Sequence, residues 1–173
     1  MLADELLADK CKRCRYPTPL LSDIMLDEEV ERFADDDFAD IEGLEGKGSE
    51  DKWAYWAEKF SRCIRCYSCR NVCPMCYCED CVLDRLKPMW MRRSVDISEN
   101  TAFHISRAYH LAGRCIQCGE CARVCPVDIP LMEMNRKFYK DVEELYDYEP
   151  GLSTEATPLL ATFSVDDKED FIL

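Results

Sequence analysis

No stretch of the 173 residues approaches the run of ~20 apolar residues that a membrane-spanning helix needs. The N-terminus, MLADELLADK, lacks a basic region followed by an apolar core, so no secretory signal is read and a cytoplasmic location is expected. There is no glycine-rich phosphate loop, no Ser/His/Asp set and no open-site metal triad. Flavin and nicotinamide binding therefore have no recognisable motif, and the chain is not expected to turn over a substrate by itself. Positive charge is also short. A formal net charge of −13 argues against a nucleic-acid partner.

Cysteine is abundant, with thirteen in the chain. Disulfides are a poor explanation. There is no signal peptide, the number is odd, and the spacings are short and repeating. Residues two or three apart seldom pair with each other, but they converge readily on one metal centre. The densest stretch, RCIRCYSCRNVCPMCYCEDC, holds seven of the thirteen between Cys63 and Cys81.

Part of this stretch recurs. Residues 62–74, RCIRCYSCRNVCP, align with residues 114–126, RCIQCGECARVCP, with eight of 13 positions identical at a constant offset of 52. Each copy reads Cys-x2-Cys-x2-Cys-x3-Cys-Pro. Three cysteines at every third residue can turn around one cubane cluster, each thiolate reaching one iron. The fourth, before proline, points away, and in two-cluster ferredoxins it ligates the other cluster. The expected assignment is therefore crossed. Cluster I takes Cys63, Cys66 and Cys69 with Cys125, and cluster II takes Cys115, Cys118 and Cys121 with Cys73. Zinc does not explain the triple or the Cys-Pro. Ile64, Val72, Ile116 and Val124 are expected to wall the clusters from water.

The charge distribution suits this reading. Residues 1–52 carry net −9, residues 53–138 net +4 and residues 139–173 net −8. Thiolates around two clusters place negative charge in the middle segment, and nearby Arg and Lys offset it and help set the reduction potential.

The intervening sequence reads as helix. Residues 98–112 begin with a capping-type Ser98, and Ala102, Ile105, Tyr109 and Ala112 fall at helical spacing. After the second copy, Pro130 suits a first helical turn, and Leu131, Met134, Phe138, Val142 and Leu145 form an apolar stripe that should stop before Pro150. Trp53, Trp56 and Phe60 make a shorter stripe ahead of the first copy. His104 and His110 lie six residues apart, on different helix faces, and are read as non-ligands.

The paired motifs resemble those of 4Fe-4S dicluster ferredoxin domains. Compact bacterial ferredoxins place the motifs much closer together in a βαββαβ unit, whereas 41 residues separate Cys73 from Cys115 here. The arrangement is similar to the α-helical ferredoxin domains of the heterodisulfide reductase C subunit, the anaerobic glycerol-3-phosphate dehydrogenase C subunit and the succinate dehydrogenase iron–sulfur subunit. The stretch HLAGRCIQCGECARVCPVDIPL, and CPMCYC with it, resembles the dicluster subunits of anaerobic sulfite reductases and soluble hydrogenases. The resemblance spans about residues 53–147. It implies a mainly α fold, with an α-helical ferredoxin-like two-cluster core and extended N- and C-terminal arms. It also implies an electron-transfer role inside a larger anaerobic oxidoreductase. The expected partners are flavin- or metal-containing subunits of hydrogenase, formate dehydrogenase, aldehyde oxidoreductase or heterodisulfide reductase type.

Five cysteines are left over. Cys11 with Cys14 and Cys78 with Cys81 are two knuckles, enough for a third site holding a [4Fe-4S] cluster or structural zinc, with Cys76 spare or replacing Cys78. An open third site would be the alternative seat of catalysis. The expected organisation is an acidic N-terminal arm (1–52), the dicluster domain (53–147) and a tail (148–173) lying along a partner. Ile24, Leu26, Val30 and Phe33 are candidate docking residues in the arm, as are Leu159, Leu160, Phe163, Phe171, Ile172 and Leu173 in the tail.

Overall fold

A computed structural model describes residues 3–30, 38–163, 165 and 166, and Phe33, Phe171, Ile172 and Leu173 lie outside the described residues. Its helices are α1 (Ala3–Leu6), α2 (Asp9–Lys12), α3 (Ala39–Glu45), α4 (Ser49–Ser61), α5 (Ser68–Asn71), α6 (Ile97–Leu111), α7 (Glu120–Arg123) and α8 (Leu131–Tyr146), with a 3-10 turn at Leu159–Ala161. There is no strand among the described residues, so the fold is mainly α, as expected. The long helix α6 packs against both α4 and α8, while the single-turn helices α5 and α7 pack against each other.

Helix α6 begins two residues earlier than a cap at Ser98 suggests. Its cap is Asp96, whose carboxylate accepts the Glu99 amide at 3.0 Å and the Ser98 hydroxyl at 2.6 Å. A carboxylate at the N-terminus also meets the positive end of the helix dipole. The buried face differs from the expected one as well. Ala102, Ile105 and Ala112 sit at its margin and Tyr109 is exposed, while Asn100, Phe103, His104, Arg107, Ala108 and Leu111 are buried. Three of these six are polar, so an apolar period alone selects the wrong stripe.

Those polar groups organise the core. Phe60, fully buried at the end of α4, stacks on the His104 ring with centroids 4.7 Å apart. Asn100 is also fully buried, and its side-chain amide donates to the carbonyls of Phe60 (3.0 Å), Cys63 (2.9 Å) and Val95 (3.2 Å). One side chain thus ties the end of α4, the first cysteine of the repeat and the approach to α6 to a single point. In α8 the expected stripe is partly displaced: Leu131, Met134 and Val142 are buried, but Leu145 is exposed and Asn135, Arg136 and Tyr139 are buried with them.

Ion pairs hold the N-terminal arm against the core. Lys10 pairs with Glu120 of α7. Asp40 of α3 bridges Arg13 (2.7 Å) and Arg136 of α8 (2.9 Å). Arg15 pairs with Glu143 (3.0 Å) and Glu149 (2.7 Å). In the tail, Leu159 lies over Gly113, where an added Cβ would come within 3.3 Å of the leucine side chain. Leu160 and Phe163 are exposed.

Two outcomes follow from this packing. Asn100→Ala removes the donor to three carbonyls, that of Phe60 buried, and should cost ~2 kcal/mol, read as a lower midpoint in chemical denaturation. Gly119→Ala should loosen the arm. Gly119 has φ +72°, and its Cβ would meet Lys10 Cδ at 3.0 Å, so faster proteolytic cleavage between residues 1 and 30 is expected, with cleavage after residue 38 unchanged.

Candidate metal centre

The two copies of the repeat share one backbone. Arg65 and Gln117 are both left-handed, with φ 55° and 57°, as are Tyr67 and Gly119, with φ 61° and 72°. Non-glycine residues occupy this region at a cost of roughly 1–2 kcal/mol. Here the turn aims amides at sulfur. The Arg65 backbone amide favours the Cys63 thiolate, and the Gln117 amide favours that of Cys115 in the same way. Successive inward amides of this kind form an anion-binding concavity. Each turn then enters a single-turn helix, α5 or α7, carrying the third cysteine. Cys69 and Cys121 are each 7% exposed. The fourth cysteine closes the turn, with the Cys73 amide on the Arg70 carbonyl and the Cys125 amide on the Ala122 carbonyl, both at 3.2 Å.

Packing of α5 on α7 sorts the sulfurs into two groups. Cys63 interacts electrostatically with Cys66 and Cys125, and Cys69 with Cys63 and Cys125. Cys115 interacts with Cys118, Cys121 and Cys73, and Cys118 and Cys121 each interact with Cys73. Cys125 thus acts on Cys63 and Cys69 of the first copy, and Cys73 on Cys115, Cys118 and Cys121 of the second. Cys69 and Cys121 also sense each other, so the groups adjoin there.

Their surroundings are dry and rich in donors. Burial pushes the Cys69 and Cys115 thiols up to about 11. Around the first group, His104 Nε2 lies 3.3 Å from the Cys63 sulfur, and the Ile129 amide donates to Cys125 at 3.4 Å. Around the second, Asn135 donates to Cys121 at 3.3 Å. His104 is 3% exposed; burial, then the charges of Arg107 and Arg65, hold its pKa down to about 3. It is therefore neutral, and a neutral imidazole with Nε2 protonated donates to sulfur. Buried thiols without a partnering cation resist ionisation, whereas metal binding supplies the compensating charge. Two quartets of sulfurs with inward amides fit iron–sulfur clusters in their donor chemistry.

The remaining cysteines are placed differently. Cys11 and Cys14 line a cavity of about 1230 Å³ whose lining also includes Cys118, Gly119 and Arg136. Cys76 and Cys73 act on each other, which lowers the pKa of Cys73 and raises that of Cys76. Cys81 is half-buried against the core, and Cys78 is exposed. Among the described residues, no group of three or more His, Cys, Asp or Glu side chains gathers closely enough to hold a single metal ion.

One expectation is revised. Ile64 and Ile116 do not wall the sulfurs: they are 58% and 51% exposed, because the left-handed residue that follows each turns the chain outward. The contact of His104 with Cys63 and the roles of Asn100, Arg107 and Asn135 were missed. For the three on α6 the available signal was polar residues at one-turn intervals on the helix face shared with Phe103.

Residues 59–129 match the family model described as a 4Fe-4S dicluster domain. The chain is similar to the F420-dependent formate dehydrogenase subunit beta of Methanocaldococcus jannaschii, 33% identical over 105 residues, covering 60% of this chain and 27% of that protein. It is also similar to the F420-dependent formate dehydrogenase 1 subunit beta of Methanococcus maripaludis, 32% identical over 105 residues, covering 61% of this chain and 26% of that protein. The chain thus spans about a quarter of the length of the curated relatives it matches. The two cysteine turns that pack together both lie in the segment that matches the 4Fe-4S dicluster domain model.

Proposed function

We propose that this chain is an iron–sulfur electron-transfer subunit, relaying electrons between redox sites of a larger oxidoreductase through two [4Fe-4S] clusters. In this reading Cys63, Cys66, Cys69 and Cys125 hold cluster I, and Cys115, Cys118, Cys121 and Cys73 hold cluster II. The observation that supports it is the electrostatic interaction of Cys125 with Cys63 and Cys69 and of Cys73 with Cys115, Cys118 and Cys121. A shared contact at Cys69 and Cys121 gives electrons a short path from one quartet to the other. The clusters, when bound, supply one-electron redox chemistry. The protein holds the sulfurs, excludes water and donates hydrogen bonds from Arg65, Gln117, His104 and Asn135, each of which favours the more negatively charged, reduced state.

The partner class follows from the relatives, both named as formate dehydrogenase beta subunits. A formate dehydrogenase-type oxidoreductase is the partner this reading favours. The chain itself is a relay with no substrate of its own. The reading includes two clusters. Cys11 and Cys14 stand beside Cys118 in the cavity, Cys76 stands against Cys73, and Cys81 stands in the core, so their placement offers no support for a third four-thiolate site.

Anaerobic purification followed by metal analysis tests this directly. About 8 irons per chain are expected for two cubanes, whereas about 12 would restore a third cluster, and zinc without iron would end the proposal. Cys73→Ser should alter the same electron paramagnetic resonance signal as Cys121→Ser, although the two residues come from different copies of the repeat. If Cys73→Ser instead altered the signal changed by Cys66→Ser, the crossed assignment would be wrong.

A further inference from the structure

Among the described residues three arginines are buried: Arg65, Arg107 and Arg136. Arg136 has a carboxylate, Asp40, at 2.9 Å. Arg65 and Arg107 have none. Arg65 donates to the carbonyls of Glu99 (2.7 Å) and Arg92 (3.4 Å), and its guanidinium lies 4.5 Å from the centre of the Phe103 ring. Arg107 is 3% exposed and donates to the Cys69 carbonyl at 2.9 Å, while its Nε has no hydrogen-bond partner. A buried guanidinium without a carboxylate is costly unless some other negative charge faces it.

The groups that face Arg107 are sulfurs. It interacts electrostatically with Cys69 of the first quartet and with Cys73, Cys118 and Cys121 of the second. Its charge also acts on Cys76. Helix α6 places it there. One turn before it on the buried face, His104 contacts Cys63, and a turn earlier Asn100 holds the Cys63 carbonyl. Arg65 acts on Cys63, the first cysteine of the first quartet.

We propose that Arg107 is the shared counter-charge of the two clusters: a permanently ionised group, anchored on the Cys69 carbonyl where the quartets adjoin, that raises the reduction potential of both. This rests on the two-cluster reading above. Reduction of either cluster adds one electron and one negative charge, and a fixed cation close by stabilises that charge. Because one guanidinium serves both centres, the two potentials rise together, which keeps the step between them small. Arg65 differs in facing the first quartet, through Cys63.

The test uses the full chain, purified anaerobically, with both midpoints followed by electron paramagnetic resonance during a dithionite titration. In Arg107→Gln both midpoints should move to more negative values. A tenfold loss in the reduced-to-oxidised ratio at fixed potential is expected at each, equivalent to about 59 mV for one electron. Arg65→Gln should move one midpoint and leave the other. Arg107→Lys, which keeps the charge but not the fork, should fall between the wild type and Arg107→Gln. If Arg107→Gln retains about 8 irons and neither midpoint moves, or only one does, the proposal is overturned while the two-cluster reading stands. If Arg107→Gln loses its iron, Arg107→Lys must keep it, and loss in both overturns the counter-charge role. A wild-type chain without iron would remove both readings together.

Discussion

Everything in this molecule is arranged around one difficulty, the gathering of ionisable sulfur where water is scarce. Cys69 and Cys121 are almost fully buried at the contact of two single-turn helices. Thiols in such a place hold their protons, as the raised values of Cys69 and Cys115 express. The backbone answers first. Both copies of the repeat accept left-handed conformations at Arg65 and Gln117, at an energetic cost, to point amides at sulfur. That the same distortion appears twice, at the same offset as the sequence repeat, marks it as a requirement of the site and not an accident of one loop.

Helix α6 answers second. Its buried face carries Asn100, His104 and Arg107 at successive turns, and each solves a separate part of the problem. Asn100 fixes the position of the first copy through its carbonyls, His104 donates toward a sulfur without carrying charge, and Arg107 supplies charge. The aromatic neighbours Phe60 and Phe103 flank the His104 ring, at 4.7 and 5.0 Å between centroids, and keep it dry. Burying such groups is costly in an ordinary core. Here they are affordable because the sulfurs opposite them need partners.

This explains what could and could not be read from the sequence. The repeat was legible because eight identities at one offset specify a backbone as well as a ligand type, and the helices around it were legible from their period. The buried face of α6 was not. Apolar periodicity assumes that a helix buries what water rejects, and at Asn100, His104 and Arg107 it buries what the sulfurs attract. The outward turn of Ile64 and Ile116 was hidden for a related reason, since it depends on the left-handed residues beside them. The docking of the N-terminal arm left no local pattern at all, because Lys10–Glu120 and Arg15–Glu143 join residues more than a hundred positions apart.

The same pairs change the meaning of the basic middle segment. From composition, its excess of Arg and Lys reads as a general offset to thiolate charge. In the fold many of those side chains face carboxylates. Arg70 pairs with Asp84, Arg92 with Glu99 and Arg123 with Glu120 inside the middle segment. The acidic arm adds Asp40 opposite Arg136 and Glu45 opposite Lys137. Surface pairs of this type are worth little individually and are screened by salt. Charge acting on the sulfurs is left to the few cations that are buried and free of carboxylates, where screening is weak and each charge is felt strongly. The reduction potentials of such a domain should depend less on its net charge than on the placement of one or two guanidinium groups. A chain with a net charge of −13 can in this way present a locally positive environment beside its buried sulfurs.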